Sequence, residues 1–153
     1  MYLKEFLSKY KDKKIRLYVD MDGVIADYDV GVARDYDKKR PLYDSIRKLE
    51  EVSKIYNIEL HIFSVTRYSE GFPQKHEWLD KYAPFFKKED RVIISREDNN
   101  MEESSILKAK YLEKLDRNDD SVIIVIDDDP LIIKEIRKLN EDIILLKDTV
   151  LVD

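Results

Sequence analysis

Apolar residues recur along this chain with two different periods, and the two alternate. The runs Ile15 to Val19, Leu60 to Ser64, Arg91 to Ser95, Val122 to Ile126 and Ile143 to Leu146 are short, rich in β-branched residues and bounded by polar segments, so they read as strands. Between them the spacing changes to three and four. After Pro41, the residues Leu42, Ile46, Leu49, Val52 and Tyr56 form one stripe, with Asp44 and Glu50 outside it, which predicts a helix ending at Asn57. Pro73 to Tyr82 is helical with Trp78, Leu79 and Tyr82 facing inward, and Glu102 to Leu115 and Leu131 to Leu139 are helical as well. Leu3, Phe6, Leu7 and Tyr10 predict a packed N-terminal helix within residues 1–12. Strands alternating with helices in this way specify an α/β fold: three layers, with a doubly wound parallel sheet of about five strands and helices on both faces.

At 153 residues the expectation is one domain over 1–153, able to bury roughly 70% of the surface its unfolded chain exposes. Residues 24–40 are too few for a cap domain. Val24 to Tyr28 and Val32 to Tyr36 flank Gly31 and fit a short β-hairpin flap. The chain has three glycines, Gly23, Gly31 and Gly71, from which no glycine-rich phosphate loop can be built. Charged residues make up 40% of the chain with a net charge of −5, and both signs are dispersed, which argues against a nucleic-acid protein driven by a basic field while leaving room for a local basic patch. The absence of cysteine excludes disulfides, thiolate metal sites and cysteine nucleophiles. No run reaches the roughly 20 apolar residues of a membrane span, and the N-terminal segment, with charges inside its apolar pattern, fits an amphipathic helix better than a signal peptide. A cytoplasmic protein with no membrane partner is expected.

The chemistry lies where the strands end. The first strand runs directly into Asp20-Met21-Asp22-Gly23, and the fourth into Asp127-Asp128-Asp129-Pro130. In open α/β sheets the ligand crevice forms beyond the carboxyl ends of strands, where the direction of winding reverses. If the first and fourth strands are neighbours, these acids converge, and they repel unless a cation neutralises them. Oxygen-only donors favour magnesium. A single acid at a strand end is also an ordinary turn or helix-cap residue; four at two matching ends, with Gly23 relieving the turn, are better explained by a shared site. The acidic cluster of receiver domains offers a similar magnesium site, but the Asp20-x-Asp22-Gly23 spacing matches it poorly.

Val19-Asp20-Met21-Asp22-Gly23-Val24-Ile25-Ala26-Asp27 resembles the first motif of the haloacid dehalogenase (HAD) superfamily of phosphohydrolases, and Ile124-Val125-Ile126-Asp127-Asp128 resembles its fourth. The resemblance implies that Asp20 is a nucleophile forming an aspartyl phosphate and that Asp22 is the general acid and base. It further implies that magnesium is held by Asp20, the carbonyl of Asp22, and Asp127 with Asp128 close by. The second motif, a hydroxyl closing the second strand, is supplied by Ser64 or, two residues on and on the same side, Thr66. The third is a lysine that neutralises phosphate, and Lys108 and Lys110 lie in the right stretch. Helical phase separates them: Lys108 falls within the apolar face of Leu107, Tyr111, Leu112 and Leu115, whereas Lys110 falls opposite with Glu113 and Lys114. The stretch from Gln74 to Tyr82, with Asp22 to Tyr28, is similar to the deoxyribonucleotidase branch, although its helical cap is missing here.

By this resemblance the partner is a small phosphorylated substrate, with a nucleotide as the first choice. A capless site also admits a phosphorylated macromolecule, or closure by a second subunit in a homo-oligomer. A catalytically silent module that keeps the fold and the metal is the alternative outside enzymes. Arg67, Tyr68 and Arg96 follow strand ends and are candidates for substrate contact, Arg67 with Thr66 foremost. His61, inside a strand, and His76, beside Trp78, read as packing residues.

Overall fold

The computed structural model of the chain describes residues 2–28, 35–55 and 57–152. The centre of the expected flap hairpin, including Gly31, and the stripe residue Tyr56 lie outside the described residues. A short helix, α1 (Leu3–Leu7), continues as a 3-10 helix over Ser8–Tyr10 and leads into β1 (Ile15–Val19). There follow α2 (Tyr43–Ile55), β2 (Ile58–Thr66), α3 (Gly71–Tyr82) and β3 (Arg91–Ser95), then α4 (Ser104–Glu113), β4 (Val122–Asp127), α5 (Pro130–Leu139) and β5 (Ile144–Lys147). All pairings are parallel, in the order β3-β2-β1-β4-β5, with helices on both faces. The chain winds outward from β1 to β3, then crosses back to begin again at β4. β1 and β4 are therefore neighbours, and the switch of winding lies between them.

β2 extends two residues beyond the expected strand at each end. It is shared between two neighbours displaced along it: Ile58 pairs with Ile15 of β1, while Thr66 pairs with Ser95 of β3. The flap's described flanks are not extended strands. Ala26 bridges to Asp22 and to Pro41, and Tyr36–Lys38 forms a 3-10 helix.

The period of two along each strand sorts the core into two halves. Leu17, Val19, Leu60, Ile62, Ile124 and Ile126 face α1, α2 and α3, meeting Leu7, Leu49, Trp78 and Leu79. Tyr18, Phe63, Ile123 and Val125 face the opposite way, onto Ala109 and Leu112 of α4 and Ile132 and Ile136 of α5. This parity decides which layer reaches Asp20, Ser64 and Asp127, whereas Asp22 lies beyond it in the turn.

Candidate active site

Asp20 follows Val19 and so shares the parity of Tyr18; Asp127 closes β4 on the parity of Ile123 and Val125. Both therefore lean towards the layer of α4 and α5, and Lys108 of α4 meets them. Lys108 Nζ donates to Asp127 Oδ2 at 2.7 Å and to Asp20 Oδ1 at 3.1 Å, and all three side chains are buried. Burial works to lower the Lys108 pKa, but the charges of Asp20 and Asp127 outweigh it and raise the ammonium above its ordinary value. Lys110 is on the outer face, paired with Glu102 at 3.0 Å.

The carboxylates on this side outnumber their cation. Burial, reinforced by Asp127 and Asp22 and opposed by Lys108, pushes the Asp20 carboxyl up to about 8. Burial and the neighbouring Asp127 charge push Asp128 up to about 6. Asp20, Asp127 and Asp128 each offer one oxygen, and the three atoms lie within 4.8 Å of one another. This all-oxygen set with surplus negative charge fits a hard divalent cation.

The turn between Asp20 and the flap is fixed by its backbone. The Met21 carbonyl accepts from the amides of Val24, Ile25 and Ala26, while Gly23 adopts φ of 81°. A side chain at Gly23 would place its Cβ 2.0 Å from Asp128 Oδ2, so the glycine gives Asp128 room beside the first acid pair. Asp127 Oδ1 accepts from the Asp129 amide at 3.0 Å, and Asp129 caps α5 by accepting from Leu131 N at 2.9 Å. Of the three consecutive acids, two thus face the site and the third serves the helix.

The opposite layer supplies two lysines that sequence reasoning missed. Ser64 has the parity of Ile62 and points towards α3, where Lys75 Nζ donates to its Oγ at 2.5 Å and to the Val65 carbonyl at 3.2 Å. The same ammonium lies 3.5 Å from Asp22 Oδ2, and Lys39 Nζ lies 2.5 Å from Asp22 Oδ1. Lys39 and Lys75 are both buried. Burial acts to raise the Asp22 pKa, but the Lys75 charge and the hydrogen bond and charge of Lys39 hold it below its ordinary value. Lys75 had a signal in the sequence: it stands three and four residues before Trp78 and Leu79, on the apolar face of α3. Lys39 lies in the non-periodic flap and had none. Its position is set by Trp78, whose Nε1 donates to the Lys39 carbonyl at 3.0 Å.

The two candidate hydroxyls differ. Ser64 is fully buried and holds Lys75; Thr66 is partly exposed, donates to the Tyr68 carbonyl at 3.3 Å and packs against Gly71. A cleft of about 340 Å³ opens above Asp22, walled by Tyr36, Lys39, Lys75, Thr66, Arg67 and Tyr68. Arg67 stacks over the Tyr68 ring, its Cζ 5.6 Å from the centroid. Tyr28, 67% exposed, lines this cleft together with Asp22 and Val65, and the same three residues line a second one that reaches Asp20, Lys108 and Asp128.

Arg96 does not reach either cleft wall; its guanidinium holds the carbonyls of Met101 and Glu102 at 2.9 and 2.8 Å. His61 stacks on Tyr18 at 4.5 Å, with Glu59 on Nε2 and the Asp90 carbonyl on Nδ1, and His76 contacts Arg91. These are packing roles.

Fold and site together define a class: a three-layer parallel α/β protein with an acidic, lysine-flanked centre at its topological switch point. No protein-family model matches the sequence, and no curated protein matches it. Among solved structures, the chain is similar to one chain of the Pnkp1/Rnl/Hen1 RNA repair complex, with a TM-score of 0.66 and 17% identity. The match covers 89% of this chain and 42% of that one, a likeness of fold. No helix among the described residues is long and apolar enough to cross a membrane.

Proposed function

We propose that this chain is a magnesium-dependent phosphomonoester hydrolase of the HAD type, working through an aspartyl phosphate. The observation that carries the reading is the pair of alternate carboxylates, Asp20 and Asp22, each set in its own lysine environment at the switch point. Asp20 Oδ attacks phosphorus and the ester P–O bond breaks, with Asp22 delivering a proton to the departing oxygen. Water then attacks the phosphorus of the aspartyl phosphate, Asp22 takes the water's proton, and Asp20 and inorganic phosphate are released. Lys75 and Ser64 lie on the Asp22 side and Lys108 on the Asp20 side, so phosphoryl oxygens meet donors from both layers. A phosphate that draws Lys75 and Lys39 to itself relieves the force keeping Asp22 ionised, which prepares it for the acid step. Magnesium would be held by Asp20, Asp127 and Asp128 and would supply charge neutralisation at the phosphoryl group.

A nucleotide is the first substrate class. The exposed Tyr28 and Tyr68 at the cleft mouth, with Arg67 stacked on Tyr68, favour a second reading, the terminal phosphate of a nucleic acid. The fold likeness to a chain of an RNA repair complex is compatible with it. The test is hydrolysis of an aryl phosphate with magnesium, with a chelator, and with Asp20→Asn. Turnover that needs magnesium and is lost in the variant supports the mechanism; unchanged turnover in the variant removes Asp20 as nucleophile. Comparing a mononucleotide with a 3′-phosphorylated oligonucleotide then separates the two substrates.

A further inference from the structure

His61 stands in the first half of β2, and its ring lies against that of Tyr18, with centroids 4.5 Å apart and planes 9° from parallel. Stacking accounts for the flat of the imidazole; its edge has a different requirement. Nε2 lies 2.7 Å from Glu59 Oε1 and Nδ1 lies 3.1 Å from the Asp90 carbonyl. Both of those oxygens accept and neither donates. A carbonyl has no proton to give, and the hydrogen bond from Lys14, 2.9 Å from Glu59 Oε2, holds the Glu59 carboxyl below its ordinary value. A neutral imidazole carries one N–H, so in either tautomer the other nitrogen aims its lone pair at an oxygen. The His61 side chain is 10% exposed, which shields the contact from water. A further positive centre belongs at this edge, either a second proton or a metal ion. Asp90 discriminates between them. Its Oδ1 is 4.0 Å from Nδ1, too far for a hydrogen bond, yet one oxygen of each acid and one ring nitrogen lie within 4.8 Å of one another. A proton joins two atoms, whereas a metal ion gathers three or more.

We propose that Glu59, His61 and Asp90 form a site for a divalent cation of the zinc type, separate from the acid centre. One imidazole nitrogen with two carboxylate oxygens is the donor set of a borderline ion, while the all-oxygen cluster of Asp20, Asp127 and Asp128 suits a hard one. Tyr18 and Phe63 stand between the two sites: Phe63 meets Tyr18 edge-on at 5.5 Å and carries Lys108 Nζ 5.1 Å from its own centroid. The outer hydrogen bonds that orient metal ligands are in place as well. The ring nitrogen left free of metal keeps its N–H and its oxygen partner, and Lys14 holds the second oxygen of Glu59. Glu59 and Asp90 side chains are 34% and 27% exposed, which gives the ion a way in and leaves water as its fourth ligand. Asp90 directly precedes β3, an edge strand, so the ion ties the start of that strand to β2.

The experiment titrates zinc into the full chain with excess magnesium present to occupy the acid centre, and follows it by calorimetry and by the magnetic-resonance signals of the imidazole nitrogens. The chain has two histidines, and His76→Asn assigns their signals. Zinc is expected to move the ring nitrogens of His61 and leave those of His76 in place. His61→Asn and Glu59→Gln are each expected to weaken this zinc equivalent by more than about tenfold, and His76→Asn to leave it unchanged. A His61 ring that is protonated on both nitrogens and unmoved by excess zinc overturns the proposal in favour of an imidazolium held by two acceptors. That reading comes from the parent protein and does not depend on any variant folding. Zinc bound equally well by the parent and by His61→Asn also overturns it, and assigns the ion to the acid centre.

Discussion

Lys108 Nζ lies 2.7 Å from Asp127 Oδ2, a contact between the middle of α4 and the last residue of β4 from which water is excluded. Truncating the lysine leaves two buried carboxylates facing each other, and breaking a buried pair in this way costs about 3–5 kcal/mol. Lys108→Ala is therefore expected to lower stability by that amount in chelator and by less in saturating magnesium, which replaces part of the lost charge. Lys110→Ala, at an exposed pair, is expected to change stability by less than about 0.5 kcal/mol. Urea unfolding with and without magnesium checks both. Equal losses in the two variants would mean that Lys108 does not neutralise the acid cluster.

Gly23 and Asp128 compete for one volume. With φ of 81° and a Cβ position 2.0 Å from Asp128 Oδ2, Gly23→Ala must strain the turn and push the carboxylate aside. The expected result is a loss of more than about 1 kcal/mol in stability and weaker magnesium binding, on the order of tenfold, read by calorimetry. Unchanged metal affinity would exclude Asp128 from the cation site.

The strands, their order of appearance and both acid pairs were legible from residue spacing, because a period of two and an acid at a strand end are local signals. Lys108 was legible because a lysine on an apolar stripe contradicts its helix. Lys75 carries the same contradiction beside Trp78 and Leu79, but the motif resemblance calls for one lysine and Lys108 already meets it. Lys39 and Tyr36 could not be found this way. They reach Asp22 through the packing of the flap on α3, where Trp78 Nε1 holds the Lys39 carbonyl, and no periodicity encodes a contact across that separation in sequence. The length of β2 was hidden too, since its extra pairs depend on the stagger of two neighbouring strands.

Protonation of the acid cluster makes metal-free stability depend on pH with an unusual sign. Burial raises Asp20 to about 8 and Asp128 to about 6, both from an ordinary 3.8, so the folded state binds more protons than the unfolded state between those limits. The contribution is full below about pH 4 and is lost as pH rises, through about 6 for Asp128 and about 8 for Asp20. Asp22, depressed by its lysines, works the other way and loses its contribution only in acid. In chelator, Tm is expected to fall between pH 5 and 9 by on the order of 10 °C, less in Asp20→Asn, and to be restored by magnesium. A metal-free Tm that rises over that interval contradicts the acid-cluster electrostatics.

Ser64 and Thr66 point the same way from β2, yet the structure gives them unequal work. Ser64 Oγ is buried and accepts from Lys75 at 2.5 Å, so it fixes an ammonium that also faces Asp22. Thr66 Oγ1 is spent on the Tyr68 carbonyl and on contact with Gly71, outside the acid centre. If phosphate binds between Asp20 and Lys75, Ser64→Ala removes a ligand and frees Lys75 to swing fully onto Asp22, whereas Thr66→Ala loosens only the cleft wall. Steady-state kinetics on an aryl phosphate should then show Ser64→Ala lowering kcat/KM by about ten- to a hundredfold, with part of the loss in kcat because Asp22 is held more firmly ionised. Thr66→Ala should stay within about threefold on that substrate and show its effect in KM for larger leaving groups. Ser64→Thr keeps the hydroxyl and should recover activity if the fully packed site admits the added methyl. The reverse ranking, with Thr66→Ala the more damaging on the aryl phosphate, would move the phosphate towards the cleft mouth and away from Lys75.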